Sequence, residues 1–192
     1  MTELDRVRGL LGDDTSLADT CPGEEGSAEL AEELLPRPFG RYELLSVVGR
    51  GGFGCVYAAH DPELDRQVAI KLMLPGGDLP LERFLREART VAHLAHANVV
   101  PIHEVGEEEG QAFLVMDFIE GHTLNEAELS PGEAAELLAT VAETLHFVHE
   151  AGVIHRDLKP HNLMRDTTGH VWVMDFGLAR RSDGEASLTR AG

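Results

Sequence analysis

Between residues 39 and 118 the apolar positions come in short runs, at 42–48, 55–59, 68–72, 99–105 and 112–118, divided by glycine-rich or Asp-Pro turn chemistry. Runs of this length with such breaks predict antiparallel strands. The acidic turn Glu107-Glu108-Glu109-Gly110 joins the last two. Between the third and fourth runs the period lengthens: Phe84, Ala88, Val91 and Ala92 repeat at helical spacing, which predicts a helix over 79–94 with Pro80 in its first turn. Past Glu120-Gly121 the helical period dominates, with Leu137, Leu138, Val141, Ala142, Leu145 and Val148 marking a helix over 131–150. Ser130 and Glu133 form a capping box around it, Pro131 takes its first position and Gly152 ends it. Short strands are expected at 163–164 and 171–173. The pattern is α+β: a five-stranded antiparallel lobe with one helix, then the start of a helical region.

Composition changes the picture mainly at the front. Residues 1–38 carry ten acidic and three basic side chains with turn formers at Pro22-Gly23 and Pro36-Arg37-Pro38, so they read as an acidic, mostly disordered extension. Residues 29–35 have the composition for one or two helical turns that pack on the domain or meet a partner; a solvated tail is the plainer account. The remainder, in a chain of 192 residues that is 43% hydrophobic, is enough for a core. Against 34 acidic residues stand only 16 Lys and Arg, so a broad footprint for nucleic acid or anionic membrane is not expected. Any phosphate ligand has to be held locally. Cys21 and Cys55 make no disulfide framework, and no apolar run approaches the ~18 residues of a spanning helix. The acidic start lacks a signal peptide's basic flank, and a cytoplasmic, reducing location is expected.

The chemistry gathers in one stretch. Residues 153–162 read V-I-H-R-D-L-K-P-H-N, and Asp175-Phe176-Gly177 follows. Asp157 can accept a hydrogen bond from an attacking hydroxyl, Lys159 can hold a phosphoryl oxygen, and Asn162 with Asp175 offers oxygen ligands to Mg²⁺. Upstream, Gly49-Arg50-Gly51-Gly52-Phe53-Gly54 has G-x-G-x-x-G spacing, followed by the strand-like Cys55-Val56-Tyr57-Ala58 and then by Val68-Ala69-Ile70-Lys71. A dinucleotide-binding unit would open a helix at the third glycine and carry an acid where Lys71 falls. Glycines let backbone N–H groups approach phosphate oxygens closely, and Phe53 at the tip would shield them from water. Lys71 and Lys159 are the only lysines; every other basic residue is arginine, which suggests that a compact ammonium is needed at these two places.

Together these motifs resemble those of bacterial-type, eukaryotic-like Ser/Thr protein kinases, over residues 39–192. The resemblance implies transfer of the γ-phosphoryl of MgATP to protein Ser/Thr hydroxyls. In it Asp157 is the catalytic base, Lys159 steadies the γ-phosphate, and Lys71 grips the other phosphates. Glu87, on the apolar side of the first helix, is the expected partner of Lys71; the competitor, Glu82, lies in the first turn, where an acid also serves the helix dipole. Met116 is implied as gatekeeper, the carbonyl of Asp117 and the N–H of Ile119 as adenine contacts, and Val56, Ala69 and Met164 as the apolar surfaces about the ring. His155 is implied in an apolar stack with Val91, Ile102 and Phe176. Arg156 would meet a phosphorylated loop, for which Ser187 and Thr189 are candidates, each also readable as an ordinary polar loop residue. The i, i+3 histidine pairs His93/His96 and His146/His149 lack a third ligand at a convincing spacing, so zinc is not favoured.

The sequence thus divides into the extension at 1–38, a kinase N-lobe and hinge at 39–121, and a partial C-lobe at 122–192. No A-P-E motif follows Asp-Phe-Gly, and the peptide-docking segment and later helices are missing. Part of the 131–150 helix is therefore expected to show an apolar face without a partner. The alternative function is a non-catalytic ATP-binding or regulatory fragment that lacks the substrate platform.

Overall fold

The computed structural model describes residues 35–51, 54–74, 81–125 and 127–176. These lie within one compact unit, Leu34–Gly192. Most of the acidic extension, Gly52, Phe53, the start expected for the first helix, Ser187 and Thr189 fall outside the described residues.

Six strands form the first sheet: β1 (Arg37–Phe39), β2 (Tyr42–Gly51), β3 (Gly54–Asp61), β4 (Arg66–Met73), β5 (Ile102–Glu108) and β6 (Gln111–Asp117). Their order is β1-β2-β3-β4-β6-β5, and every pairing is antiparallel. The strand β1 is additional to the five expected, and it moves the start of the folded region into the stretch assigned to the extension. Three residues with a central proline give no alternating pattern to read. They are held by Phe39, which packs edge-on against Phe113 at 5.4 Å between ring centroids.

The fourth expected strand also begins later than its apolar run. Pro101 has no N–H to give a ladder, and the residues before it turn to another partner: Val100 N–H donates to Val173 O and Val173 N–H to Asn98 O. Glu109 and Gly110, both at positive φ, close the β5–β6 hairpin.

Helix α1 (Leu81–Ala92) packs on β5 and β6. Phe84 and Ala88 join Leu114, Met116 and Val100 in one buried cluster, while Leu44, Tyr57, Val68, Ile70 and Val115 fill the other face of the sheet. Helix α2 (Pro131–Glu150) has the expected bounds. Ser130 Oγ accepts from Glu133 N–H, and Glu133 accepts in return from Ser130 N–H, which satisfies two end groups of the helix at once. Ser130 Oγ–H, which also donates to Glu133 Oε2 at 2.7 Å, and then Ser130 N–H hold the Glu133 carboxyl below its ordinary range.

A second sheet, β7 (Gly121–Thr123), β8 (Leu163–Asp166) and β9 (Val171–Val173), follows the order β7-β8-β9. Its hairpin is tied by Asp166, whose carboxylate accepts from Trp172 Nε1–H, Thr168 and His170 N–H. Those donors, Trp172 first, favour the ionised form and lower its pKa. One further core cluster joins the parts: Val91 of α1, Val141 and Val148 of α2, Val173 of β9 and Phe176. No helix of the described residues is long and apolar enough to cross a membrane.

Candidate active site

A cleft of about 520 Å³ opens between the first sheet and the loops beside β7 and β8. From above, β2 and β3 bring Gly49, Arg50, Gly51 and Gly54, and β4 brings Lys71; from below come Asp157, Lys159, Asn162, Met164 and Asp175.

The glycines divide into two kinds. A Cβ on Gly54 would lie 2.1 Å from the carbonyl oxygen of Leu72, so this position needs glycine for the β3–β4 approach. At Gly49 and Gly51 a Cβ would meet nothing within 4 Å. Their bare backbone therefore faces open space in the cleft, the condition for close approach by a phosphate.

Lys71 sits in the ladder opposite Val56 and Leu114. Its Nζ donates to Asp175 Oδ1 at 2.7 Å. This departs from the expected pairing with Glu87, whose Oε2 lies 3.8 Å from Arg156 Nη1. Asp175, at φ 54°, lines the cleft and meets the ammonium, and Glu87 faces the guanidinium of the 153–162 loop. Glu87 remains the half-buried acid of α1, and Glu82 is exposed.

The loop after α2 is built around Asp157. Lys159 Nζ lies 3.0 Å from Asp157 Oδ2, and buried Asn162 donates through Nδ2 to Asp157 O at 2.7 Å and to Oδ2 at 3.2 Å. With its amide nitrogen engaged in this way, Asn162 keeps Oδ1 as its ligating atom. Pro160–Asn162 forms a single 3-10 turn, closed by Asn162 N–H to Lys159 O.

His155 anchors the loop from beneath. Its Nε2–H donates to Met174 O at 2.9 Å, and its ring lies 4.7 Å from that of Phe176. Burial holds its pKa below the ordinary histidine value, so the neutral ring is favoured. Val91 and Phe176 share a buried cluster against which Ile102 packs, so the expected stack is assembled.

Of the apolar residues expected around a ring, Val56, Met116 and Met164 line the cleft, and Ala69 is buried beside Met116 in the β4–β6 ladder. Asp117 follows Met116, and its carboxylate meets His103; Ile119 packs on the cluster of α1 and the sheet. Thr123 and His161 also line the cleft and were not anticipated. Thr123 sits on β7, whose Gly-His-Thr carries no alternation to reveal it, and His161 occupies the variable position of K-P-x-N. No group of three or more His, Cys, Asp or Glu among the described residues forms a metal cluster.

Residues 42–191 match the family model described as "Protein kinase domain". The chain belongs to this family. It is 44% identical over 164 residues to the DNA damage-responsive serine/threonine-protein kinase RqkA of Deinococcus radiodurans, covering 80% of this chain and 24% of that protein. It is 39% identical over 148 residues to the serine/threonine-protein kinase PrkC of Bacillus subtilis, covering 73% and 23%. The crystal structure of the Mycobacterium tuberculosis PknI kinase domain superposes with a TM-score of 0.68 at 28% identity, over 76% of this chain and 63% of that one. The kinase chain thus spans about a quarter of the length of its curated relatives. Its fold is protein-kinase-like, with the C-lobe represented in part.

Proposed function

We propose that this chain carries the ATP-binding and phosphotransfer groups of a protein Ser/Thr kinase acting on protein substrates in the cytoplasm. The observation that carries the proposal is the convergence of Lys71–Asp175 and Lys159–Asp157–Asn162 on one cleft, beneath glycines with open space before them.

Asp157 orients the acceptor hydroxyl and takes its proton as the new P–O bond forms and the bond to the β-phosphate oxygen breaks. Lys159, bound to the same carboxylate, holds charge of the transferring group, and Lys71 holds the remaining phosphates. Glu87 steadies this arrangement from α1. The donor set fits Mg²⁺, which takes one or two carboxylates and shares phosphate oxygens; Asp175 and Asn162 Oδ1 would hold it. Bound there, the ion would neutralise phosphate charge. The adenine would lie against Val56, Ala69, Met116 and Met164, with the Asp117 carbonyl and Ile119 N–H at its edge. Ser187 and Thr189 are candidate autophosphorylation positions, with Arg156 as the receiving cation.

A second reading, a nucleotide-binding fragment without transfer, is favoured by the exposure of Leu138 on α2 and of Ile154 and Leu158 in the 153–162 loop. The test is transfer of labelled phosphate from ATP with Mg²⁺ to a generic protein acceptor, by this chain beside Asp157→Asn and Lys71→Met. Transfer abolished by both substitutions supports the kinase reading. ATP bound in a Lys71-dependent way without transfer supports the second. Absence of ATP binding overturns both.

A further inference from the structure

The β5–β6 ladder skips a step beside the cleft: Ile102 pairs with Met116 and Glu104 with Val115, which leaves His103 as the extra residue of a bulge. A bulge re-aims the side chain it carries, and this one aims an imidazole at the end of β6. His103 Nε2 lies 2.6 Å from Asp117 Oδ1. The backbone is tied at the same place, because Asp117 N–H donates to Pro101 O at 3.1 Å. Asp117 is therefore held twice, by its main chain to Pro101 just before β5 and by its carboxylate to His103 on β5.

A cation stands beside the imidazole. Arg66 Nη1 lies 3.1 Å from His103 Nε2, and a single ring nitrogen cannot both donate to a carboxylate and accept from a guanidinium. The shorter contact assigns the proton to Nε2, donating to Asp117, with Arg66 as a cation beside the pair. Behind it, Arg66 faces a buried carboxylate. Its Nε lies 3.9 Å from Asp61 Oδ2, and Asp61 has no exposed surface. Asp61 Oδ1 accepts the N–H groups of Glu63 and Leu64, while Arg41, at 3.8 Å from Oδ2, supplies the second compensating cation. Asp61, the last residue of β3, thus sets a buried carboxylate near Arg66, and Arg66 stands beside the histidine that holds Asp117.

We propose that His103 is a positioning residue for the purine ring: through Asp117 it sets the place of the peptide groups that follow Met116. This rests on the ATP reading of the cleft, since those peptide groups are the ones assigned to the adenine edge.

The test measures ATP and CTP affinity by competition against a fluorescent nucleotide, with Mg²⁺, for the full chain and its variants. His103→Phe keeps a ring and loses the donor; ATP affinity should fall about fivefold to tenfold and CTP affinity should hardly change. His103→Gln restores a donor, and ATP affinity should return to within about twofold of the parent. In an Asp117→Ala background, His103→Phe should cost nothing more, as expected of two residues acting through one contact. Unchanged ATP affinity in His103→Phe overturns the proposal, as does an equal loss for ATP and CTP, or a loss that glutamine does not rescue. A parent chain that binds no ATP overturns the nucleotide reading and this inference with it.

Discussion

The two halves of the molecule close their cores to different degrees. In the first sheet with α1, apolar residues are buried on both faces, and the exposed ones, Val48, Leu64 and Leu74, lie on β2, in the β3–β4 turn and just past β4. In the region of α2 and the catalytic loop, Leu138 is 62% exposed and Ile154 61%, with Phe147 and Leu158 also open. The groups proposed to act in phosphotransfer straddle this difference. Lys71 stands on a strand supported on both sides, whereas Asp157 and Lys159 stand on a loop with apolar neighbours open to water. The Lys71 side of the cleft is therefore the better supported. The PknI kinase domain, of which this chain covers 63%, is longer.

The largest expected effect tests the chemistry on the less supported side. Asp157→Asn should lower phosphotransfer roughly 10²- to 10⁴-fold while ATP affinity stays within about twofold, measured by initial rates and by titration. Equal losses of binding and rate would mean that the loop serves the nucleotide and not the acceptor.

Core truncations compare the halves directly. Leu44→Ala removes a fully buried side chain and should cost about 2–5 kcal/mol in denaturant unfolding. Leu138→Ala should stay within about 0.5 kcal/mol, as at exposed positions generally. A cost at Leu138 approaching that at Leu44 would show α2 to be covered in solution and would break the comparison.

Removal of the capping box in Ser130→Ala should cost about 1 kcal/mol, read as a lower melting temperature. Because α2 has fewer tertiary contacts to hold it, the loss should also raise amide exchange in its first turns more than in β4.

The smallest effect is a pH dependence. Burial lowers the pKa of His155, so above the ordinary imidazole value, about 6.5, folded and unfolded chains both hold a neutral ring. As pH falls below that value the unfolded chain takes up a proton that the folded chain does not, and stability declines until the lowered folded pKa is passed. His155→Phe, which keeps a ring beside Phe176, should show a shallower fall in melting temperature between about pH 7 and pH 5. Parallel curves would detach His155 from this decline.

Much of the site was legible because its chemistry is local. The loop at 153–162, the two lysines and the glycine spacing sit in short motifs read by their resemblance to those of protein kinases, and the capped α2 was carried by its periodicity and capping box. Elements decided by distant partners were not legible. β1 depends on Phe113, β7 on β8, and the late start of β5 on Val173, none of which is a neighbour in sequence.

Side-chain pairing shows the same division. The family resemblance implied that Lys71 pairs with Glu87, that Asp175 holds Mg²⁺ and that Arg156 meets a phosphorylated loop. Only the tertiary structure decided which charge meets which, Asp175 with Lys71 and Glu87 with Arg156, because the partners lie on separate elements that the fold alone brings together. His103 was silent for a similar reason: a bulge is a property of two paired strands, and its direction exists only after both have formed.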